Sequence, residues 1–140
     1  MTPDKVSGDS ASAAPIRGIV LFAHGSRDPL WHRPMQAVAQ RILQSSTALA
    51  VECAYLELST PDLSAACQSL LERGVQTITI VPMFLGVGKH AREDLPVLVT
   101  ALRAAYPDTH FELQSAVGED VRLIALLADI AVERPKGHAR

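Results

Sequence analysis

Aromatic side chains are scarce, with one Trp, two Tyr and three Phe making up 4% of 140 residues. The core must therefore be aliphatic, as in parallel sheets covered by helices on both faces. Cysteine is scarcer still. Cys53 and Cys67 are too few and too far apart for a CxxC site. Both read as buried, reduced thiols, Cys53 in a strand and Cys67 on the apolar face of a helix, which agrees with a reducing compartment. Neither sign of charge dominates: 13 Lys and Arg against 15 Asp and Glu leave a net charge of −2. Bulk electrostatics thus give no case for nucleic acid or acidic membranes as partners, and no RNA-type aromatic platform or recognition helix offsets that. Long hydrophobic runs are also missing. The densest, Ile78 to Val87, is far too short to span a bilayer. Met1 to Pro15 is rich in Ser, Ala and Asp and has no apolar stretch of the secretory-signal kind. A cytoplasmic location is expected.

What is present points to one ordinary domain. Hydrophobic residues are 48% and charged residues 20%, proportions of a globular chain long enough to bury a core without disulfides. The expected division is a flexible tail over 1–15, a domain over 16–134 and a short C-terminal tail over 135–140. Ile16 to Ala23 reads as a strand, short, apolar and β-branched. Positions 35, 38, 39, 42 and 43 repeat at helical spacing. Ala50 to Leu56 is a second strand. Thr60 is then expected to cap a helix whose first residue is Pro61 and whose apolar side carries Leu63, Ala66, Cys67, Leu70 and Leu71, with Gly74 ending it. Thr77 to Pro82 is a third strand. Pro96 predicts an irregular turn over His90 to Asp94 before a helix to about Tyr106. His110 to Ser115 is a fourth, weaker strand, and Asp120 to Glu133 a last helix.

Alternating strands and helices with short connections mean an α/β fold with a parallel sheet. A flavodoxin-like three-layer sandwich with a four-stranded parallel sheet in the order 2-1-3-4 is expected. In such sheets ligands bind beyond the carboxyl ends of the strands. Those ends carry His24-Gly25-Ser26-Arg27 after the first strand, Tyr55-Leu56-Glu57 after the second, and Pro82 through His90 to Asp94 and Pro96 after the third. Two imidazoles and a carboxylate at one edge form a common open ligand set for a borderline divalent ion. Taken singly, each has a plainer reading: a hydrogen-bonded structural histidine, or a solvated loop acid at Glu57. Gly86 and Gly88 fit either a close backbone approach or an ordinary loop. His32, His110 and His138 show no partner pattern and read as surface or tail residues.

His24-Gly25-Ser26 at the end of the first strand resembles the opening motif of the small class II tetrapyrrole chelatases, the sirohydrochlorin chelatases of the CbiX type. The longer motif P-x-F-L-x-x-G-x-H-x-x-x-D-x-P, spelled by Pro82, Phe84, Leu85, Gly88, His90, Asp94 and Pro96, resembles the same family. So does Tyr55-x-Glu57 followed by Pro61, and the resemblance runs from about Ile16 to Ala131. It implies a metal chelatase, an enzyme that inserts Co²⁺, Fe²⁺ or Ni²⁺ into sirohydrochlorin for cobalamin or sirohaem. Cobalt is favoured and iron is close behind. His24 and His90 would be the metal-binding and catalytic histidines, with Glu57 a third ligand or proton acceptor. Because that macrocycle carries many carboxylates, Arg27, Lys89 and Arg92 are candidate clamps, or else exposed loop charges. Ser26 would bond loop backbone or a substrate carboxylate. The resemblance further implies a homodimer imitating the two halves of longer chelatases.

On that resemblance the metal is a substrate. No nucleotide or redox cofactor is expected, because the sequence has neither a Walker motif nor a dinucleotide fingerprint. A non-catalytic metal or tetrapyrrole carrier on the same scaffold needs the same ligands and stays open at this point. A phosphotransfer enzyme using His24 as nucleophile usually has Arg where Ala23 stands. A serine hydrolase elbow would need Gly there.

Overall fold

A computed structural model describes residues 17–133. The expected tails over 1–15 and 135–140, and His138, lie outside the described residues. In chain order the elements are β1 (Arg17–Ala23), a 3₁₀ turn (Pro29–His32), α1 (Arg33–Ser45), β2 (Leu49–Tyr55), α2 (Leu63–Glu72), β3 (Thr77–Pro82), α3 (Lys89–Ala105), β4 (His110–Leu113), a second 3₁₀ turn (Val117–Glu119) and α4 (Val121–Val132). The sheet runs β2-β1-β3-β4 with every pairing parallel. This is the expected fold class and strand order.

Alternation along β1 builds the layers. Ile19, Leu21 and Ala23 pack on one face with Met35 of α1 and Tyr55 of β2. Val20 and Phe22 pack on the other with Leu63, Cys67 and Leu70 of α2 and Leu95 and Val99 of α3. Side chains two apart along a strand share a face, so buried β1 feeds both helical layers. The largest fully buried side chains are aliphatic apart from Phe22, Thr79 and Cys67, in line with the scarcity of aromatics. Cys67 is wholly buried and Cys53 half-buried, and both thiols are free.

Four local expectations are corrected. The cap of α2 is Asp62, not Thr60: its carboxylate accepts the Ala65 amide at 2.9 Å. Pro61 stands before the helix rather than in its first turn, and its carbonyl accepts the Tyr55 amide at 3.0 Å. Helix α3 starts at Lys89 and runs through Pro96 without an irregular turn. Ala91, Leu95, Val99 and Leu102 form one buried stripe spanning the proline, and burying it outweighs the single hydrogen bond that Pro96 removes. Pro96 and Arg92, whose carbonyl loses its intrahelical donor, are both exposed, so water can replace that donor. Gly74 does end α2 with φ +92°. The fourth strand stops at Leu113, two residues early.

Helix α4 stands apart from the other three. No residue of it is buried. Its Val121, Ile124, Leu126, Leu127, Ile130 and Val132 are 39–79% exposed.

Candidate metal centre

At the carboxyl edge the backbone pairing of the sheet continues into the loops. The Leu56 amide donates to the Ala23 carbonyl at 2.9 Å and the Glu57 amide to the His24 carbonyl at 3.0 Å. Such close approach requires Gly25. Its φ is +108°, and a Cβ there would stand 1.7 Å from the Glu57 carbonyl oxygen. His24 and Glu57 are therefore neighbours along the backbone, each with an exposed residue surface.

The period of two that places Phe22 on the α2 and α3 side puts His24 there too. Its imidazole meets Phe84 edge to face, with centroids 5.4 Å apart, and Phe84 meets Phe22 in the same way at 6.2 Å. An apolar ring beneath an exposed imidazole fixes its orientation while leaving its nitrogens free for a ligand. Phe84 is held in turn by the turn after β4. The Gly118 amide donates to the Phe84 carbonyl at 2.9 Å, and a Cβ on Gly118 would meet the Leu85 carbonyl oxygen at 1.8 Å. Nothing in the sequence around Gly118 marks this close contact.

His90 lies in the first turn of α3, after the Gly88 N-cap, and is exposed. Gly86 and Gly88 have no neighbour within 4 Å of an added Cβ and no positive φ. The chain's own packing thus demands neither glycine. Lys89, Arg92 and Asp94 share this exposed start of α3, and the Arg92 guanidinium donates to the Val87 carbonyl at 3.0 Å. Arg27 is exposed in the loop after β1. A cleft of about 330 Å³, lined by Phe22, Tyr55, Asp62, Leu63, Asp94 and Leu98, opens beside the start of α3.

The loop after β2 is strained. Leu58 has φ +64°, a left-handed conformation that costs a non-glycine residue about 1–2 kcal/mol. Next to it, the Ser59 hydroxyl donates to the Ser26 carbonyl at 2.6 Å and accepts the Ser26 amide at 3.0 Å. His32 Nε2 is 3.0 Å from that same carbonyl and 3.3 Å from Ser59 Oγ. Ser26 Oγ accepts the Asp28 amide at 3.0 Å, one of the loop-backbone bonds expected of it. Tyr55 underlies the group, its ring 4.8 Å from His32 and 5.9 Å from Trp31. Burial, with Cys53 beside it, pushes the Tyr55 hydroxyl up to about 12, so it stays protonated at neutral pH.

His24, His90 and Glu57 are thus brought to one edge, but not into a closed cage. Among the described residues no three His, Cys, Asp or Glu side chains are grouped to hold an ion. His32 is corrected: it is a half-buried member of a hydrogen-bonded cluster, not a surface residue. Its partner Ser59 lies 27 residues away in the chain, so local spacing carried no signal for the pair. His110 is exposed, as expected, and is 3.8 Å from Glu112.

The CbiX family model matches residues 18–134. The chain belongs to the CbiX family. Against the sirohydrochlorin cobaltochelatase of Methanopyrus kandleri, this CbiX chain is 32% identical over 81 residues, 58% of its own length and 57% of the relative's. Against the sirohydrochlorin ferrochelatase of Priestia megaterium it is 28% identical over 116 residues, 83% of its own length but 42% of the relative's. It therefore spans little more than half of the first and less than half of the second. The crystal structure of a CbiX protein from Marinobacter aquaeolei VT8 matches with a TM-score of 0.70 and 32% identity, over 82% of this CbiX chain and 93% of that one. Among the described residues no helix is long and apolar enough to cross a membrane.

Proposed function

We propose that this CbiX chain is a sirohydrochlorin chelatase that inserts a divalent ion, Co²⁺ first and Fe²⁺ next, without ATP. The observation that carries the reading is the placement of His24, on its Phe84 support, and His90 at one exposed sheet edge in a chain of this family. Insertion requires delivery of the ion and removal of two pyrrole N–H protons. Neutral imidazole suits either task at neutral pH. In this reading His24 and His90 present the ion to one face of the macrocycle. Glu57, backbone-paired to His24, lowers the ion's net charge or accepts a proton. Two imidazoles leave coordination positions for pyrrole nitrogens, as a metal to be handed over requires. Ser26, Arg27, Lys89 and Arg92 surround the edge as contacts for substrate carboxylates.

The reading includes a homodimer and a cytoplasmic location. The uncovered apolar face of α4 supports pairing. The two free thiols suit a reducing compartment.

The deciding experiment mixes purified protein with metal-free sirohydrochlorin and Co²⁺ or Fe²⁺ under anaerobic conditions and follows the macrocycle's visible spectrum. Wild type should accelerate metallation above the spontaneous rate. His24→Ala and His90→Ala should each lose at least about 100-fold of that acceleration. Binding of the ion or the macrocycle without acceleration would mean a carrier.

A further inference from the structure

From the loop geometry we infer that Ser59 and His32 are positioning residues for this site, acting as a clamp that fixes the His24 loop against the Glu57 loop. Two cross-links join these loops. The inner one is the Glu57 amide on the His24 carbonyl at 3.0 Å. The outer one is the Ser59 hydroxyl, which bonds both the amide and the carbonyl of Ser26 at 3.0 and 2.6 Å. Between them lie Gly25 and Leu58, each with a positive φ. Neither residue holds its conformation by intrinsic preference alone, Leu58 least of all. Without the outer link, the Glu57–Leu58 turn would be free to relax away from His24.

The hydrogen-bond roles place His32 in the same device. A carbonyl oxygen only accepts, so the 3.0 Å contact to Ser26 requires the proton on His32 Nε2. The Ser59 hydroxyl spends its own proton on Ser26 and offers its oxygen to the same imidazole at 3.3 Å. The imidazole is packed edge-on against both Trp31 and Tyr55. His32 therefore ties the start of α1 to the loops and keeps the Ser26 carbonyl in place. Ser26, Ser59 and His32 are all half-buried, where such bonds are less exposed to competition from water. Neither Ser59 nor His32 touches the ion or the macrocycle in this scheme; they act through His24 and Glu57. The catalytic consequence rests on the chelatase reading, whereas the coupling of the loops does not.

The test uses the full chain and two readouts. In the metallation assay Ser59→Val and His32→Ala should lower kcat about tenfold, as slight misplacement of reacting groups does, with KM for sirohydrochlorin changed less than about twofold. Ser59→Thr, which keeps the hydroxyl on a side chain of valine's shape, and His32→Gln, which can return an N–H to Ser26, should recover most of the loss. His110→Ala, at the opposite end of the sheet, is the control. Amide hydrogen exchange gives the second readout: Ser59→Val should speed exchange in residues 24–28 as well as in 56–60. Exchange confined to the mutated loop overturns the clamp, and so does unchanged kcat or a loss that neither conservative variant recovers. Wild type that fails to metallate sinks the chelatase reading instead, and exchange alone then decides the clamp.

Discussion

Gly25 and the pair Gly86 and Gly88 separate two uses of glycine within one site. At Gly25 both the positive φ and the nearness of the Glu57 carbonyl exclude a side chain. Gly25→Ala should cost about 2 kcal/mol or more, read as a lower urea midpoint with unchanged slope. At Gly86 and Gly88 a Cβ would enter open space. Alanine at Gly86 should leave stability within about 0.5 kcal/mol of wild type, and at Gly88, the N-cap of α3, should cost no more than about 1 kcal/mol. A fall in metallation without a fall in stability at 86 or 88 would mean that the missing side chain makes room for an incoming molecule. The sequence shows glycines at all three positions, but the distinction between them depends on a strand-end contact to a loop 32 residues away.

At the scale of elements, α3 carries the longest motif and one internal conflict. Its stripe of Ala91, Leu95, Val99 and Leu102 drives a continuous helix through Pro96. That continuity places His90 on a regular first turn, a firmer base for the proposed ligand than the expected irregular segment. Pro96→Ala supplies the missing N–H for the Arg92 carbonyl and should stabilise the protein by about 1–3 kcal/mol. Thermal unfolding should show this as a Tm raised by several degrees. A lower Tm would mean that the proline's rigidity outweighs the hydrogen bond it removes. Local chemistry was a better guide at the C-terminal end of α2, where Gly74 stops the helix as the sequence suggests. At its start, Thr60 and Asp62 are both competent caps by residue type, and only the chain's path assigns the cap to Asp62.

For the whole molecule, the apolar face of α4 is the feature that the described residues leave uncovered. Six large aliphatic residues with little charge among them exceed what a solitary soluble domain usually exposes. If a second copy covers them, sedimentation at micromolar concentration should show a dimer. Ile124→Glu with Leu127→Glu should then give a folded monomer, because carboxylates buried in an apolar interface are strongly unfavourable. Wild type that remains monomeric at all accessible concentrations would remove the homodimer from the proposed function.

Composition and periodicity alone settled the class of fold. An aliphatic core, four short apolar runs and intervening helical stripes admit few arrangements, because strands of a parallel sheet must be covered on both faces. The carboxyl-edge rule then selects His24, Glu57 and His90 from the sequence. Tertiary structure decided what depends on distant segments meeting: the Phe84 support under His24, the Gly118 contact, the cap at Asp62, the unbroken α3 and the link from Ser26 through Ser59 to His32. Periodicity registers which face a residue turns to the core, since that preference repeats along the chain. A hydrogen bond between loops 33 residues apart leaves no such repeat, and only folding brings its partners together.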